Sequence, residues 1–113
     1  MKIAHYKETP PDPVSEEGSS GLTVRWVISK EDGAPHFSMR VFKVEPGGYS
    51  PHHQHPWEHE VFILEGNGVL VQGEEEFPFS KGDVIFIPPG EQHQLRNTSE
   101  ENLAFICLIP NLA

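Results

Sequence analysis

Cysteine is almost absent from this chain of 113 residues, since Cys107 is its only example. A single cysteine excludes any intrachain disulfide, so a reducing cytoplasm is the simplest compartment to expect. Long apolar runs are missing too, because no segment approaches the roughly 20 residues that span a bilayer. The first residues, MKIAHYKETPPDP, lack the apolar stretch of a secretory signal. We therefore expect a cytoplasmic protein.

Basic residues are scarce. Eight Lys and Arg face 17 Asp and Glu, which gives a formal net charge of −9. Binding to nucleic acid needs clustered Lys and Arg, and docking on an anionic membrane needs a polybasic patch. The charge therefore argues against both partners and leaves a small molecule as the expected ligand.

Helical periodicity is also missing, because no stretch of ten or more residues repeats its apolar positions at the helical spacing. Residues 1–21 instead predict an N-terminal arm, and its stretch 8–21 is rich in Pro, Ser, Gly and Glu. Residues 22–113 predict one all-β domain, because short β-branched runs alternate with Gly or Pro clusters such as EDGAP and EPGG. The predicted strands cover residues 22–29, 37–44, 60–66, 67–73, 75–79, 83–90, 93–97 and 103–109.

Histidine is the residue that this sequence concentrates, with four examples in PHHQHPWEHE at positions 51–60. Several neutral imidazoles that converge on one point bind a divalent transition metal. His53 and His55 share a face if their segment is extended, since side chains alternate along a strand. A bend at Pro56 would return His59 to that face, whereas only the fold can bring in His93. These four histidines are the predicted metal ligands.

The same segment resembles the first conserved motif of the cupin superfamily: G, five residues, HxH, three or four residues, E, six residues, G. Gly47 precedes His53 and His55 by the required interval, and position 59 lies at the required distance from Gly66. The motif's glutamate is replaced there by His59. Glu60 fits the alternative four-residue spacing but leaves only five residues before the glycine. We therefore expect His59, rather than Glu60, to be the fourth ligand.

A second segment resembles the other cupin motif: G, five residues, PxG, two residues, H, three residues, N. Every position is met, by Gly82, Pro88, Gly90, His93 and Asn97. The resemblance covers roughly residues 37–110 and implies a double-stranded β-helix, a jelly-roll barrel of two antiparallel sheets. Tight turns require glycine with positive φ, which we expect at Gly47, Gly66, Gly82 and Gly90.

The closest resemblance is to small single-domain bacterial and archaeal cupins that carry HxHPWEHE. It implies a metal inside the barrel, chemistry of the dioxygenase or another oxidative type, and a homodimer with exchanged N-terminal segments. The arm could serve that exchange. Four neutral ligands leave the ion its full charge and, in six-coordinate geometry, two open positions. Mn, Fe, Co, Ni, Cu and Zn all suit such ligands, and the residues do not choose among them.

Three further residues are candidates for the pocket. Phe105 and Cys107 share one face of the last predicted strand, which lines the pocket if it is the inner face and otherwise only packs. Arg40 could reach a substrate carboxylate from the barrel wall or lie on the surface. Trp57 is expected to pack at the barrel rim. His5, His36 and His52 are expected in solvent, and Glu58 and Glu60 either in solvent or orienting histidines.

Three functions remain open. The favoured one is a metal-dependent oxidoreductase that acts on a small molecule. An isomerase or decarboxylase of a sugar or small acid would need a general base near the metal, and the sequence shows no obvious pocket Lys or Tyr. The third is a small-molecule-binding protein without catalysis, and fold alone does not decide between them.

Overall fold

The computed structural model describes residues 1–52 and 54–112. Over this part of the chain the backbone is almost entirely β-structure, with 3₁₀ turns at Tyr6–Glu8 and Lys30–Asp32. The strands are β1 (Asp12–Pro13), β2 (Ser20–Ile28), β3 (Phe37–Tyr49), β4 (His59–Glu65), β5 (Asn67–Gln72), β6 (Glu75–Ser80), β7 (Val84–Ile87), β8 (Gln94–Arg96) and β9 (Leu103–Pro110). None of the helices in the described residues is long and apolar enough to cross a bilayer.

All strands belong to one antiparallel sheet that curls into a barrel. Its order is β6-β5-β8-β3-β9-β4-β7, and β2 pairs with β3 while β1 pairs with β2. The long strand β3 connects the two halves, because it pairs with β9 over residues 37–44 and with β8 at Tyr49. The predicted all-β jelly-roll barrel is confirmed.

The bend in β3 corrects one expectation from the sequence. The EPGG segment, predicted as a turn that ends the strand, lies inside β3. Gly47 has a φ of 76° there, and a Cβ on Gly48 would lie 2.6 Å from the carbonyl oxygen of Ser20. The two glycines therefore let β3 bend and pass close to β2 without ending. The other three turn glycines also have positive φ, between 81° and 91°.

The packed core lies at one end of the barrel. Val44, Ile63 and Leu103 are 0% exposed. Further along β4 and β9 the inward side chains line a cavity instead. Side chains fill one end of the barrel and leave a cavity at the other. The residues that line this cavity therefore face the interior of the barrel.

The N-terminal arm lies on the barrel in two places. In β1, Asp12 and Pro13 pair with Val24 and Thr23 of β2. Residues 2–9 lie against the outer face of the sheet. There, Arg25 Nη1 donates a hydrogen bond of 2.6 Å to the carbonyl oxygen of Thr9. Exchange of this arm between two copies stays a prediction.

Candidate metal centre

A cavity of about 310 Å³ opens inside the barrel. Its wall combines side chains from both halves of the sheet with Val14 and Glu16 from the arm. All the described histidines of the predicted ligand set line it, as do the three pocket candidates Arg40, Phe105 and Cys107. Residues far apart in the sequence thus line one cavity that opens to solvent.

Strand β4 places His59 and Glu60 on opposite faces of the sheet. Its residues alternate between the inner and outer faces, and His59 is buried at 5% exposure while Glu60 is exposed. The outward direction of Glu60 takes its carboxylate away from the cavity, because successive side chains point to opposite faces. Of these two neighbours, His59 is therefore the one whose side chain faces the cavity.

His55 lies on a loop that is fastened to the second histidine segment. Its carbonyl oxygen accepts a hydrogen bond of 2.7 Å from the amide of Gly90, and earlier in the same loop Ser50 N donates to the Leu95 carbonyl at 2.9 Å. The His55 ring stacks on Trp57, with centroids 4.5 Å apart and planes 9° from parallel. These contacts fix both the backbone and the ring of His55.

His93 has its ring orientation set by its own loop. Its Nδ1 lies 3.0 Å from the carbonyl oxygen of Glu91. Because a carbonyl only accepts, Nδ1 carries the proton of this hydrogen bond, and in the neutral ring Nε2 keeps its lone pair. Metal-binding histidines commonly have their second nitrogen held in this way.

The three described rings lie next to one another on the cavity wall. Their centroids are separated by 4.9 Å for His59 and His93, 5.3 Å for His55 and His59, and 6.2 Å for His55 and His93. With a metal–nitrogen distance of about 2.1 Å, two imidazole ligands place their centroids about 4.5 Å apart at a right angle and about 6.4 Å apart on opposite sides. The three spacings fall within this range.

The ligand set itself stays a prediction. His53 lies outside the described residues, and the described His, Cys, Asp and Glu side chains do not by themselves contain a group of three or more that could hold an ion. Ring spacing and the tautomer of His93 fit a divalent transition metal, which would need the contribution predicted for position 53.

Two of the pocket candidates form a polar link to the histidines. Arg40 Nη2 donates to the sulfur of Cys107 at 3.1 Å, and that sulfur lies 3.4 Å from Nδ1 of His59. If Nε2 of His59 faced an ion, Nδ1 would carry the proton and donate it to the sulfur. Burial raises the pKa of the Cys107 thiol, against a smaller lowering by Arg40.

The remaining candidates lie as follows. Phe105 is 4% exposed and stacks on Phe42 with centroids 5.1 Å apart. Trp57 is half-buried and lines the cavity, where it stacks on His55. Glu58 is half-buried. The expected solvent positions are confirmed for His5, His36 and His52.

Sequence reasoning missed part of the cavity wall. Trp26 and Val24 of β2 line it, together with Phe42 of β3 and Val14 of the arm. Because side chains alternate along LTVRWVIS, Val24 and Trp26 lie on the same face of the strand. The sequence alone indicates this shared face. Which face points inward depends on the pairing of β2 with β3, which the sequence alone does not contain.

The fold and the histidine cavity together define a cupin barrel, and comparison with known proteins agrees. Residues 40–109 match the cupin domain family. The match covers more than half of the chain, so the chain belongs to the cupin family.

Individual relatives differ in what they do. The chain is 32% identical to an oxalate-binding protein of Thermotoga maritima, over 95% of this chain and 92% of that protein. It is 33% identical to 1-methylthio-D-xylulose 5-phosphate methylsulfurylase of Rhodospirillum rubrum, over 83% of this chain but only 61% of that enzyme. The structure of the polyketide cyclase RemF from Streptomyces resistomycificus superposes with a TM-score of 0.92 at 35% identity, over 97% of this chain and 79% of that one.

Proposed function

We propose that this chain is a metal-dependent oxidoreductase of the dioxygenase type that acts on a small molecule. One divalent ion (Mn, Fe, Co, Ni, Cu or Zn) would be held by His53, His55, His59 and His93. The observation that carries this proposal is the convergence of three described imidazoles, from two distant segments, on one cavity.

The chain's own residues have definable roles in this proposal. The Glu91 carbonyl keeps the proton of His93 on Nδ1, away from the ion, and Trp57 holds the ring of His55 in place. A divalent transition metal would supply Lewis acidity and, where it is redox-active, electrons. Apolar side chains in the wall, such as Val61, Ile87 and Leu95, exclude water from the reacting groups.

The cavity wall favours oxidation over isomerisation. Among the described residues that line it there is no Lys and no Tyr, and the one carboxylate is Glu16. Glu16 belongs to the arm and is exposed to solvent. An isomerase needs a positioned general base beside the substrate, which this wall does not supply in an enclosed position.

A second candidate function is binding without catalysis. It is favoured by the name of one relative, the oxalate-binding protein, which matches over nearly its whole length. Such a protein would use the same histidines and the same metal. The two functions differ only in whether the bound molecule is turned over.

Metal content and turnover test the proposal together. The purified protein should carry about one transition metal per chain, and His93→Ala should lose it. His36→Ala is the matched control, because His36 is exposed and lies away from the cavity. Oxygen consumption with a panel of small organic acids and phenols would then support the oxidoreductase.

Two results would contradict it. Binding of those molecules without oxygen consumption, for protein loaded with Fe or Mn, would favour the binding function. Equal metal content in wild type and His93→Ala would remove the metal centre altogether.

A further inference from the structure

Arg40 is a cation inside the cavity rather than on the surface. In β3 it lies opposite Trp26 of β2 and Cys107 of β9, and all three line the cavity. Strand pairing on both sides fixes its backbone, so the side chain starts from a rigid wall.

Two aromatic rings lie next to the guanidinium of Arg40. Its central carbon lies 4.8 Å from the centroid of Phe42 and 5.3 Å from that of Trp26. A cation close to an aromatic ring is attracted to the electron-rich face of that ring, and this attraction uses none of its N–H groups as hydrogen-bond donors. The two rings therefore stabilise the cation in the cavity and leave its donors available for a ligand.

The edge of this guanidinium has little to bind within the protein. Nη2 donates to the Cys107 sulfur, which is a weak acceptor. Nε is buried and has no hydrogen-bond partner in the part of the chain that the structure describes. No carboxylate of the described residues forms an ion pair with Arg40. A partly buried cation without a counter-ion is costly, and binding an anion at its edge would remove that cost.

The part of the wall around Arg40 is largely apolar and aromatic. Trp26, Phe42 and Phe105 provide ring surfaces, and Val24 and Ile109 complete the side near Arg40. A volume of about 310 Å³ is at the small end of ligand pockets. These surfaces suit one small ring system rather than a sugar with many hydroxyl groups.

We propose that Arg40 determines the specificity of this cavity by binding an anionic oxygen group, such as a carboxylate, on a substrate with a small, flat, apolar body. The inference names the substrate class of the proposed oxidoreductase and rests on that function for the chemistry. Binding itself depends on Arg40 and the aromatic wall, so it can be tested separately.

The chain's own tryptophans report on this binding. It contains two, Trp26 and Trp57, and both line the cavity. Their fluorescence should change on titration with benzoate. Benzamide, the neutral analogue, should bind at least about 10-fold more weakly because it lacks the charged hydrogen bond. Acetate should bind at least about 10-fold more weakly because it lacks the ring and its apolar burial. The titration is repeated after treatment with a chelator, so that direct binding of benzoate to a metal is excluded.

Variants then assign the effect to Arg40. Arg40→Met should weaken benzoate binding about 10-fold or more and leave benzamide unchanged, while Arg40→Lys keeps the charge and should recover part of the loss. Arg96→Met is the matched control, since Arg96 is exposed and pairs with Glu76 at 3.6 Å.

The outcomes separate this inference from the proposed function. Equal affinity of the wild type for benzoate and benzamide after chelation would overturn the role of Arg40, even if metal and oxygen consumption were found. Arg40-dependent benzoate binding in a protein that holds no metal would support the anion site while the proposed oxidoreductase failed.

Discussion

The choice of His59 over Glu60 allows a sharp test, because the two residues are neighbours with opposite directions. His59 is 5% exposed and lines the cavity, whereas Glu60 is exposed on the outer face of β4. We predict that His59→Gln weakens metal binding severely and that Glu60→Gln hardly changes it. Glutamine keeps much of the volume of each side chain, which limits disturbance of packing.

The magnitudes follow from what each residue contributes. Loss of a partner that only orients a ligand costs about 10- to 100-fold in metal affinity, so loss of a ligand should cost at least about 100-fold. Glu60 contributes only a negative charge on the opposite face of the strand, and solvent and salt screen that charge. Its loss should lower metal affinity by a factor of roughly 2 to 3 at physiological salt. The predicted gap between the variants is therefore well over one order of magnitude.

Competition with a chromophoric chelator measures the affinity, and thermal unfolding of the metal-free variants checks the fold. If Glu60→Gln lost the metal and His59→Gln kept it, the register of the first cupin motif would be the four-residue one. If both variants bound as tightly as the wild type, the four-histidine centre would be wrong.

Four further predictions concern separate features. Metal affinity should fall steeply between about pH 8 and about pH 5, because imidazole must be neutral to bind; a flat profile would argue against histidine ligands. Gly66→Ala should destabilise the fold more than Gly82→Ala in denaturant titrations. Both positions have positive φ, where alanine costs about 1–3 kcal/mol of strain. Only at Gly66 would the new Cβ also meet backbone, 2.7 Å from the Asn102 carbonyl oxygen. Cys107, which is buried and has a raised pKa, should react slowly with iodoacetamide until the protein is denatured; fast labelling of native protein would contradict this. The outer face around Val84 and Phe86, 76% and 63% exposed, should mediate the predicted homodimer, so that Val84→Glu with Phe86→Glu gives monomers in sedimentation velocity; a monomeric wild type would remove this prediction.

The strands were predictable because their signals are local. Runs such as FSMRVFKV and LAFICLI are β-branched or aromatic, and Gly and Pro separate them. The strand β9 therefore falls close to its expected bounds, and β3 begins at the expected residue but continues to Tyr49. Alternation also placed Phe105 and Cys107 on one face, although not on which side of the sheet.

What the sequence could not contain is the pairing between distant strands. EPGG has the composition of a turn, yet it continues β3 because Ser20 and Asn97 pack and hydrogen-bond against its glycines. Arg40 was left open between surface and pocket for the same reason. The direction of its side chain depends on which face of β3 points into the barrel, and the pairing of β3 with β2 and β9 sets that face.

The arm and β2 supply part of the cavity wall from outside the segment that matches the cupin family. The match to the cupin domain family begins at residue 40, whereas Val14, Leu22, Val24 and Trp26 of the cavity wall lie before it. Mutations in that upstream stretch can remodel the wall while the histidine motifs stay intact. Substitutions at residues 14–26 can therefore change which molecule fits the cavity while the predicted metal ligands stay in place.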